Sequence, residues 1–180
     1  MARLRLATIW LGGCSGCHMS FLDLDEWLID LAAQADIVFS PVIDAKEFPE
    51  DVDVALVEGA VANEDHVRHI RQVRARSKII IAFGDCAVTG NVTALRNPLG
   101  NADSCLYHSY NELADLKAGI PRDAGVLPVL LDRVLPVHQV VPVEYYLPGC
   151  PPPAPRIRAV LEMLLAGKEP VLEGDELRFG

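Results

Sequence analysis

Short apolar segments with strand character alternate with segments of helical periodicity along most of this chain. The strand-like segments are 3–10, 36–43, 53–59, 78–87 and 144–153, and the helical segments are 19–34, 63–76 and 155–167. Such alternation is typical of parallel strands, because each return to the same end of a sheet needs a crossover helix. The pattern therefore predicts an α/β fold built on a doubly wound parallel sheet.

One segment interrupts this alternation. Residues 97–143 contain prolines and glycines and show little periodicity. We expect an insertion before the last strand, lying over the sheet edge, with a short helix around 109–118. Loops of this length usually serve a function or a partner. The chain of 180 residues is long enough for one hydrophobic core and short for two, so we expect a single domain over 1–180.

The charge balance excludes some classes of partner. The formal net charge is −9 and no basic block stands out, which argues against nucleic acid or an anionic membrane surface. No segment approaches the ~20 consecutive apolar residues that a membrane-spanning helix needs. The opening residues "MARLRLATIW" do not resemble a signal peptide. We therefore expect a cytoplasmic protein.

Four of the five cysteines lie where a predicted strand ends. Cys14 and Cys17 follow the first strand, Cys86 follows "KIIIAFGD", and Cys150 follows "EYYLPG". Because the carboxyl ends of parallel strands share one edge of a sheet, we expect these thiols to converge there. Cys105 falls in the insertion, and we interpret it as a structural thiol.

Converging thiolates bind zinc or an iron–sulfur cluster. Structural zinc usually takes two close cysteine pairs, whereas this chain has one pair and two distant single cysteines. Cys14 and Cys17 alone also fit a thioredoxin-like redox pair, although that leaves Cys86 and Cys150 without a role. A metal-free thiol–disulfide oxidoreductase and a zinc-stabilised interaction module therefore stay open as alternatives.

Four motifs add a family resemblance. "WLGGCSGC", "VEGAV", "GDCAVTGN" and "PGCPP" occur in this order between residue 8 and about residue 165. Together they resemble the small subunit of nickel–iron hydrogenases, which is related to a cluster-bearing subunit of respiratory complex I. The segment "CSGCHMSFLDLDEW" is most similar to the small subunit of cytoplasmic NAD-reducing hydrogenases. The resemblance implies a flavodoxin-like fold with one 4Fe-4S cluster, held by Cys14, Cys17, Cys86 and Cys150.

The resemblance also implies a function and partners. The chain would relay electrons between the H2-oxidising nickel–iron site of a large subunit and a diaphorase that reduces NAD. The nickel–iron centre, FMN and NAD would belong to the partner subunits, so this chain alone would hold no complete active site. The alternative within the resemblance is a cluster-bearing subunit of a complex I-like or other hydrogenase-related oxidoreductase. We expect no flavin in this chain, because cysteines occupy the loop where a phosphate site would lie.

Two residues near these motifs have open roles. Glu58 in "VEGAV" lies at the predicted cysteine edge. It is either a solvated loop acid or helix-terminal charge, or a residue that faces the cluster or the subunit interface. His18 directly follows Cys17 and is either a satisfied polar group at a helix start or a hydrogen-bond partner of a cluster sulfur.

Overall fold

The computed structural model describes residues 3–115 and 119–180 and contains a five-stranded parallel sheet. The strands in the described residues are β1 (Leu4–Trp10), β2 (Ala35–Phe39), β3 (Val52–Glu58), β4 (Val61–Asn63), β5 (Ser77–Phe83), β6 (Leu130–Leu135) and β7 (Tyr145–Leu147). The large sheet has the order β2-β1-β3-β5-β7, with every pair parallel. This is the flavodoxin-like order of a doubly wound sheet. The predicted fold class is confirmed.

Helices cover both faces of this sheet. They are α1 (Gly16–Leu22), α2 (Trp27–Gln34), α3 (Glu64–Arg76), α4 (Asp85–Thr89), α5 (Ala102–Tyr107) and α6 (Ala154–Leu165). Short 3-10 or π-helical turns cover Asn91–Leu99, His108–Glu112, Val137–Gln139 and Gly174–Leu177. Successive strand residues face opposite sides, so Leu56 packs with α1, α2 and α6, and Val57 packs with α3.

The carboxyl ends of the parallel strands lie level with one another. Trp10 pairs with Glu58, Glu58 pairs with Phe83, and Phe83 pairs with Leu147. The loops that follow β1, β3, β5 and β7 therefore leave from one edge of the sheet. The strand order reverses direction beside β1, which is where such folds form a crevice.

Several predicted element boundaries are wrong. The helix predicted over 19–34 is two helices, because Asp25 adopts a left-handed backbone with φ 50° between α1 and α2. The strand predicted over 36–43 ends at Phe39, just before Pro41, which has no N–H to donate. The last predicted strand is only β7, since Pro148 directly follows it and has no N–H to donate.

The insertion has more regular structure than its sequence indicates. Strand β6 pairs antiparallel with β4 in a separate two-stranded sheet. The helix predicted around 109–118 begins earlier, because α5 and the π-helical turn cover 102–112. Residues 116–118 of that prediction lie outside the described part of the chain.

Candidate functional site

The structure brings four cysteines, here called the cysteine site, to the edge where the parallel strands end. They are Cys14, Cys17, Cys86 and Cys150. Cys14 is exposed in the loop after β1, whereas Cys17 is buried in the first turn of α1. Cys86 is buried at the start of α4, and Cys150 is exposed in the loop after β7.

The two buried thiols of the cysteine site are influenced by their neighbours. The pKa of Cys17 is raised, chiefly by burial and further by the charges of Glu58 and of the other three cysteines. The pKa of Cys86 is raised as well, chiefly by burial and then by Cys150 and Cys14, while the nearby Thr93 opposes the shift. Since each added negative charge opposes the next, a bound cation would favour the thiolate forms.

Two glycines permit close packing at the cysteine site, one beside a sulfur atom and one beside the backbone after Cys150. Gly84 has φ +84°, and a Cβ added there would collide with Cys17 Sγ. Gly149 has φ +135°, and an added Cβ would lie 2.7 Å from the nitrogen of Pro152. A side chain at either position would therefore strain the backbone and displace part of the cysteine site.

Glu58 lies directly behind the first cysteine pair. Its side chain is only 2% exposed, so the expectation of a solvated loop acid is wrong. The carboxylate accepts the backbone N–H of His18 at 2.9 Å and that of Cys17 at 3.4 Å, and thus satisfies the first turn of α1. It also pairs with Nδ1 of the buried His18 ring. Glu58 and His18 therefore form one polar unit beneath the Cys17 backbone.

This polar unit continues into the sheet through two residues that the sequence analysis missed. His18 Nε2 lies 3.0 Å from Thr8 Oγ1, and the Thr8 hydroxyl donates to Ser40 Oγ at 2.9 Å. Thr8 and Ser40 are both buried. A buried hydroxyl in the middle of the apolar strand β1 is the sequence feature that points to such a partner.

Asp85 ties together the loops on the opposite side of the cysteine site, and it was also missed. Its buried carboxylate accepts the backbone N–H of Gly149 at 2.6 Å and that of Gly180 at 2.9 Å. Its own N–H donates to the Gly149 carbonyl oxygen at 3.0 Å. The segments that carry Cys86 and Cys150 are therefore joined by reciprocal hydrogen bonds.

The remaining thiol has different surroundings. Cys105 is half-buried in α5, and its thiol contacts the Arg96 carbonyl oxygen, with Sγ and O 4.0 Å apart. Over residues 3–115 and 119–180, no three His, Cys, Asp or Glu side chains are arranged to hold a single metal ion. In the same residues, no helix is both long and apolar enough to cross a membrane.

The residues of the cysteine site fit an iron–sulfur cluster in their chemistry. All the donors are thiols, which are the usual ligands of 4Fe-4S clusters. Gly84 keeps the space beside Cys17 Sγ free of side-chain atoms. The level strand ends hold thiols that are distant in sequence at one edge. This arrangement suits a polynuclear centre that is held by all four thiolates at once.

Comparisons with known proteins show similarity to oxidoreductase subunits. A family model described as "NADH ubiquinone oxidoreductase, 20 Kd subunit" matches residues 14–164. A subunit of the F420-non-reducing hydrogenase vhu of Methanococcus voltae is 44% identical over 173 residues, covering 94% of this chain and 59% of that protein. The NAD-reducing hydrogenase HoxS subunit delta of Cupriavidus necator is 37% identical over 170 residues, covering 92% of this chain and 80% of that protein.

A solved structure matches nearly the whole chain. A chain of an NAD+-reducing nickel–iron hydrogenase in the H2-reduced state superposes with a TM-score of 0.94 and 40% identity. The match covers 99% of the present chain and 100% of the solved one. By contrast, the chain spans about 59% of the length of the Methanococcus voltae relative. The resemblance that the four motifs predict is confirmed, since the relatives found by both comparisons are hydrogenases.

Proposed function

Because this chain belongs to the family of the NADH ubiquinone oxidoreductase 20 Kd subunit, we propose that it is the electron-transferring small subunit of an NAD-reducing nickel–iron hydrogenase. One observation carries the proposal. The cysteine site places four thiols at level strand ends, with Cys17 under the electrostatic influence of the other three. The similarity to NAD-reducing hydrogenase chains supports the assignment to this class.

In this proposal, Cys14, Cys17, Cys86 and Cys150 hold one 4Fe-4S cluster. Such a cluster, when bound, accepts and releases single electrons. The chain positions the sulfurs through α1, α4 and the loop after β7. Burial of Cys17 and Cys86 keeps water away from the inner side of the site. The protein thereby supplies position and electrostatic environment, while the cluster supplies the redox chemistry.

Glu58 and His18 have a supporting role in this proposal. The Glu58 carboxylate fixes two successive backbone amides, those of Cys17 and His18, and the His18 ring is fixed in turn by Thr8. Both side chains thus act through the backbone that carries Cys17. We assign them to positioning this ligand loop.

The exposed apolar residues beside the cysteine site fit a partner subunit. Trp10 is 47% exposed four residues before Cys14, and Met19 is 48% exposed two residues after Cys17. Large apolar side chains at one edge are typical of protein interfaces. We place the large subunit with its nickel–iron centre on this side. A diaphorase with FMN and further iron–sulfur clusters would take the electrons on to NAD, in the cytoplasmic setting that the resemblance implies.

A second candidate keeps the same cluster but a different electron acceptor. The relative with 44% identity is an F420-non-reducing hydrogenase subunit, and the matching family is described by a subunit of NADH ubiquinone oxidoreductase. A cluster-bearing subunit of another hydrogenase-related or complex I-like enzyme would have the same cysteine site. Hydrogen-dependent NAD reduction by the purified complex separates the two candidates.

The first experiment is a metal analysis of the full chain, purified anaerobically with the subunits that accompany it. We expect about four irons and about four acid-labile sulfides in this chain beyond those of its partners, as for one 4Fe-4S cluster. Serine variants of the four ligands should each lose iron and sulfide. Cys105→Ser is the matched control and should retain both, because Cys105 contacts Arg96 instead.

Other outcomes would overturn the proposal. About one zinc per chain without sulfide would indicate a structural zinc site. A chain without metal whose Cys14 and Cys17 form a reversible disulfide would indicate thiol–disulfide chemistry. Equal loss of iron in Cys105→Ser and Cys86→Ser would contradict the ligand assignment.

A further inference from the structure

The 3-10 helix Asn91–Leu99 begins against the cysteine site. The side-chain amide of Asn91 donates to Cys150 Sγ, with Nδ2 and Sγ 3.4 Å apart. This separation is shorter than the 4.0 Å between the Cys105 thiol and the Arg96 carbonyl oxygen. A residue 59 positions away in sequence thus reaches the exposed thiol of the loop after β7.

The backbone of Asn91 is unusual for a residue with a side chain. Its φ is 35°, a positive value that few residues other than glycine adopt. Asparagine tolerates a positive φ better than most residues, and such backbone strain is often found at functional sites. At Asn91 the unusual backbone occurs in the residue whose amide donates to Cys150.

Thr93, two residues further along the same helix, contacts the loop of the first cysteine pair. Its hydroxyl donates to the Gly12 carbonyl oxygen at 3.0 Å, in the loop that leads to Cys14. A hydroxyl has one proton to donate, so this bond leaves none for a sulfur. Thr93 therefore holds the helix against the cysteine site, while Asn91 donates to a thiol.

We propose that Asn91 sets the reduction potential of the centre held by the cysteine site, by hydrogen bonding to the sulfur of Cys150. This inference rests on the proposed function, because it requires a cluster at that site. Each reduction of the centre takes up one electron from the large subunit, and each reoxidation passes one electron to the acceptor. No bond and no proton changes at Asn91.

The direction of the effect follows from charge. Reduction adds negative charge, part of which resides on the sulfurs, and a donor hydrogen bond stabilises that charge. Removing a donor therefore makes the reduced state less favourable and shifts the potential to more negative values. Replacing the donor with a carboxylate should shift it further, since the carboxylate repels the added electron.

Three substitutions test this. Asn91→Gly removes the amide at a backbone position that suits glycine, so the variant should fold. Asn91→Asp keeps the shape and replaces the donor with an acceptor. Thr93→Val is the matched control, because it removes a hydrogen bond to Gly12 from the same helix and leaves the Asn91 amide in place.

The measurement is a redox titration followed by electron paramagnetic resonance, on the full chain purified anaerobically with its partners. Iron and sulfide are determined on the same samples. We expect a more negative potential for Asn91→Gly, a larger shift in the same direction for Asn91→Asp, and a potential near the native value for Thr93→Val.

The outcomes separate this inference from the function on which it rests. A native potential in Asn91→Gly, with full iron and sulfide, would overturn the inference and leave the cluster assignment intact. A native chain without iron and sulfide would overturn both. A shift in Thr93→Val as large as that in Asn91→Gly would contradict a specific role of the Asn91 amide.

Discussion

The carboxylate of Glu58 accepts the backbone N–H of His18 at 2.9 Å, although the two residues lie 40 positions apart in sequence. Glu58 ends β3, and His18 lies in the helix that follows β1, the neighbouring strand. This one contact therefore links the carboxyl ends of two strands to the backbone that carries Cys17.

Glu58→Gln should destabilise the chain. The substitution removes the negative charge and the pairing with the His18 ring in a site that is almost fully buried. Hydrogen bonds that involve charged groups are worth ~1.5–3 kcal/mol, so we expect a loss of about that size in the free energy of unfolding in urea. Glu47→Gln, at an exposed position, is the control. A loss no larger than that of the control would contradict a supporting role for Glu58.

Gly84→Ala should be more damaging than an alanine at another glycine with a positive φ. Gly84 and Gly125 have φ of +84° and +89°, so an alanine at either position strains the backbone. Only at Gly84 would the new Cβ meet Cys17 Sγ, whereas Gly125 has open space. We expect a larger loss of stability and a loss of bound iron for Gly84→Ala alone. Equal effects of the two substitutions would argue against the need for open space beside Cys17.

Acid should destabilise the chain partly through His69. This ring packs against Phe39 and Phe48, with ring centroids 6.0 and 6.4 Å away, and burial lowers its pKa below the ordinary 6.5. The folded state therefore favours the neutral ring. The contribution of His69 to stability is complete above the unfolded pKa and declines as the pH falls below it.

His69→Phe tests this pH dependence, because the substitution keeps an aromatic ring and removes the titrating group. The free energy of unfolding should fall less between about pH 7.5 and about pH 5.5 than in the native chain. The exposed residue His138 provides the control variant His138→Gln, which should retain the native change of the free energy of unfolding with pH. An unchanged dependence of the free energy of unfolding on pH in His69→Phe would contradict a contribution of His69 to acid destabilisation.

Arg156 should control the protection of the last residues against proteases. Its guanidinium donates to the carbonyl oxygens of Pro148 at 2.6 Å, Asp175 at 2.9 Å and Arg178 at 3.1 Å. A lysine ammonium group lacks the planar set of N–H donors that reaches these carbonyl oxygens. We expect limited proteolysis to cleave residues 166–180 faster in Arg156→Lys. Arg158→Lys, two positions along the same helix, should be cleaved at the native rate.

The sequence was sufficient to predict the sheet and the edge where the cysteines lie. Apolar runs mark the buried strands, and the rule for parallel strands places their carboxyl ends together. The break at Asp25 was not predictable, because the apolar spacing continues through it. Strand β6 was missed since its partner, β4, is a three-residue segment far away in sequence.

The hydrogen-bond partners of the cysteine site were the least predictable part. Thr8, Asp85 and Asn91 reach groups that are distant in the chain, such as Ser40, Gly149 and Cys150. Nothing in their local sequence specifies these contacts, because tertiary packing alone decides which polar group a buried side chain meets. The burial of Glu58 is likewise decided by tertiary packing, which is why the sequence left two interpretations of this residue open.

The reciprocal bonds between Asp85 and Gly149 have a consequence for how the proposed cluster would be assembled. They close a loop of more than sixty residues with protein groups alone. The bond between Glu58 and the start of α1 likewise connects residues 40 positions apart, at the first cysteine pair. The loss of chain entropy on bringing distant thiols together is therefore offset by the folding of the protein itself. In zinc fingers, by contrast, metal binding drives folding. Iron and sulfide would be delivered to a pre-organised site rather than to a flexible chain.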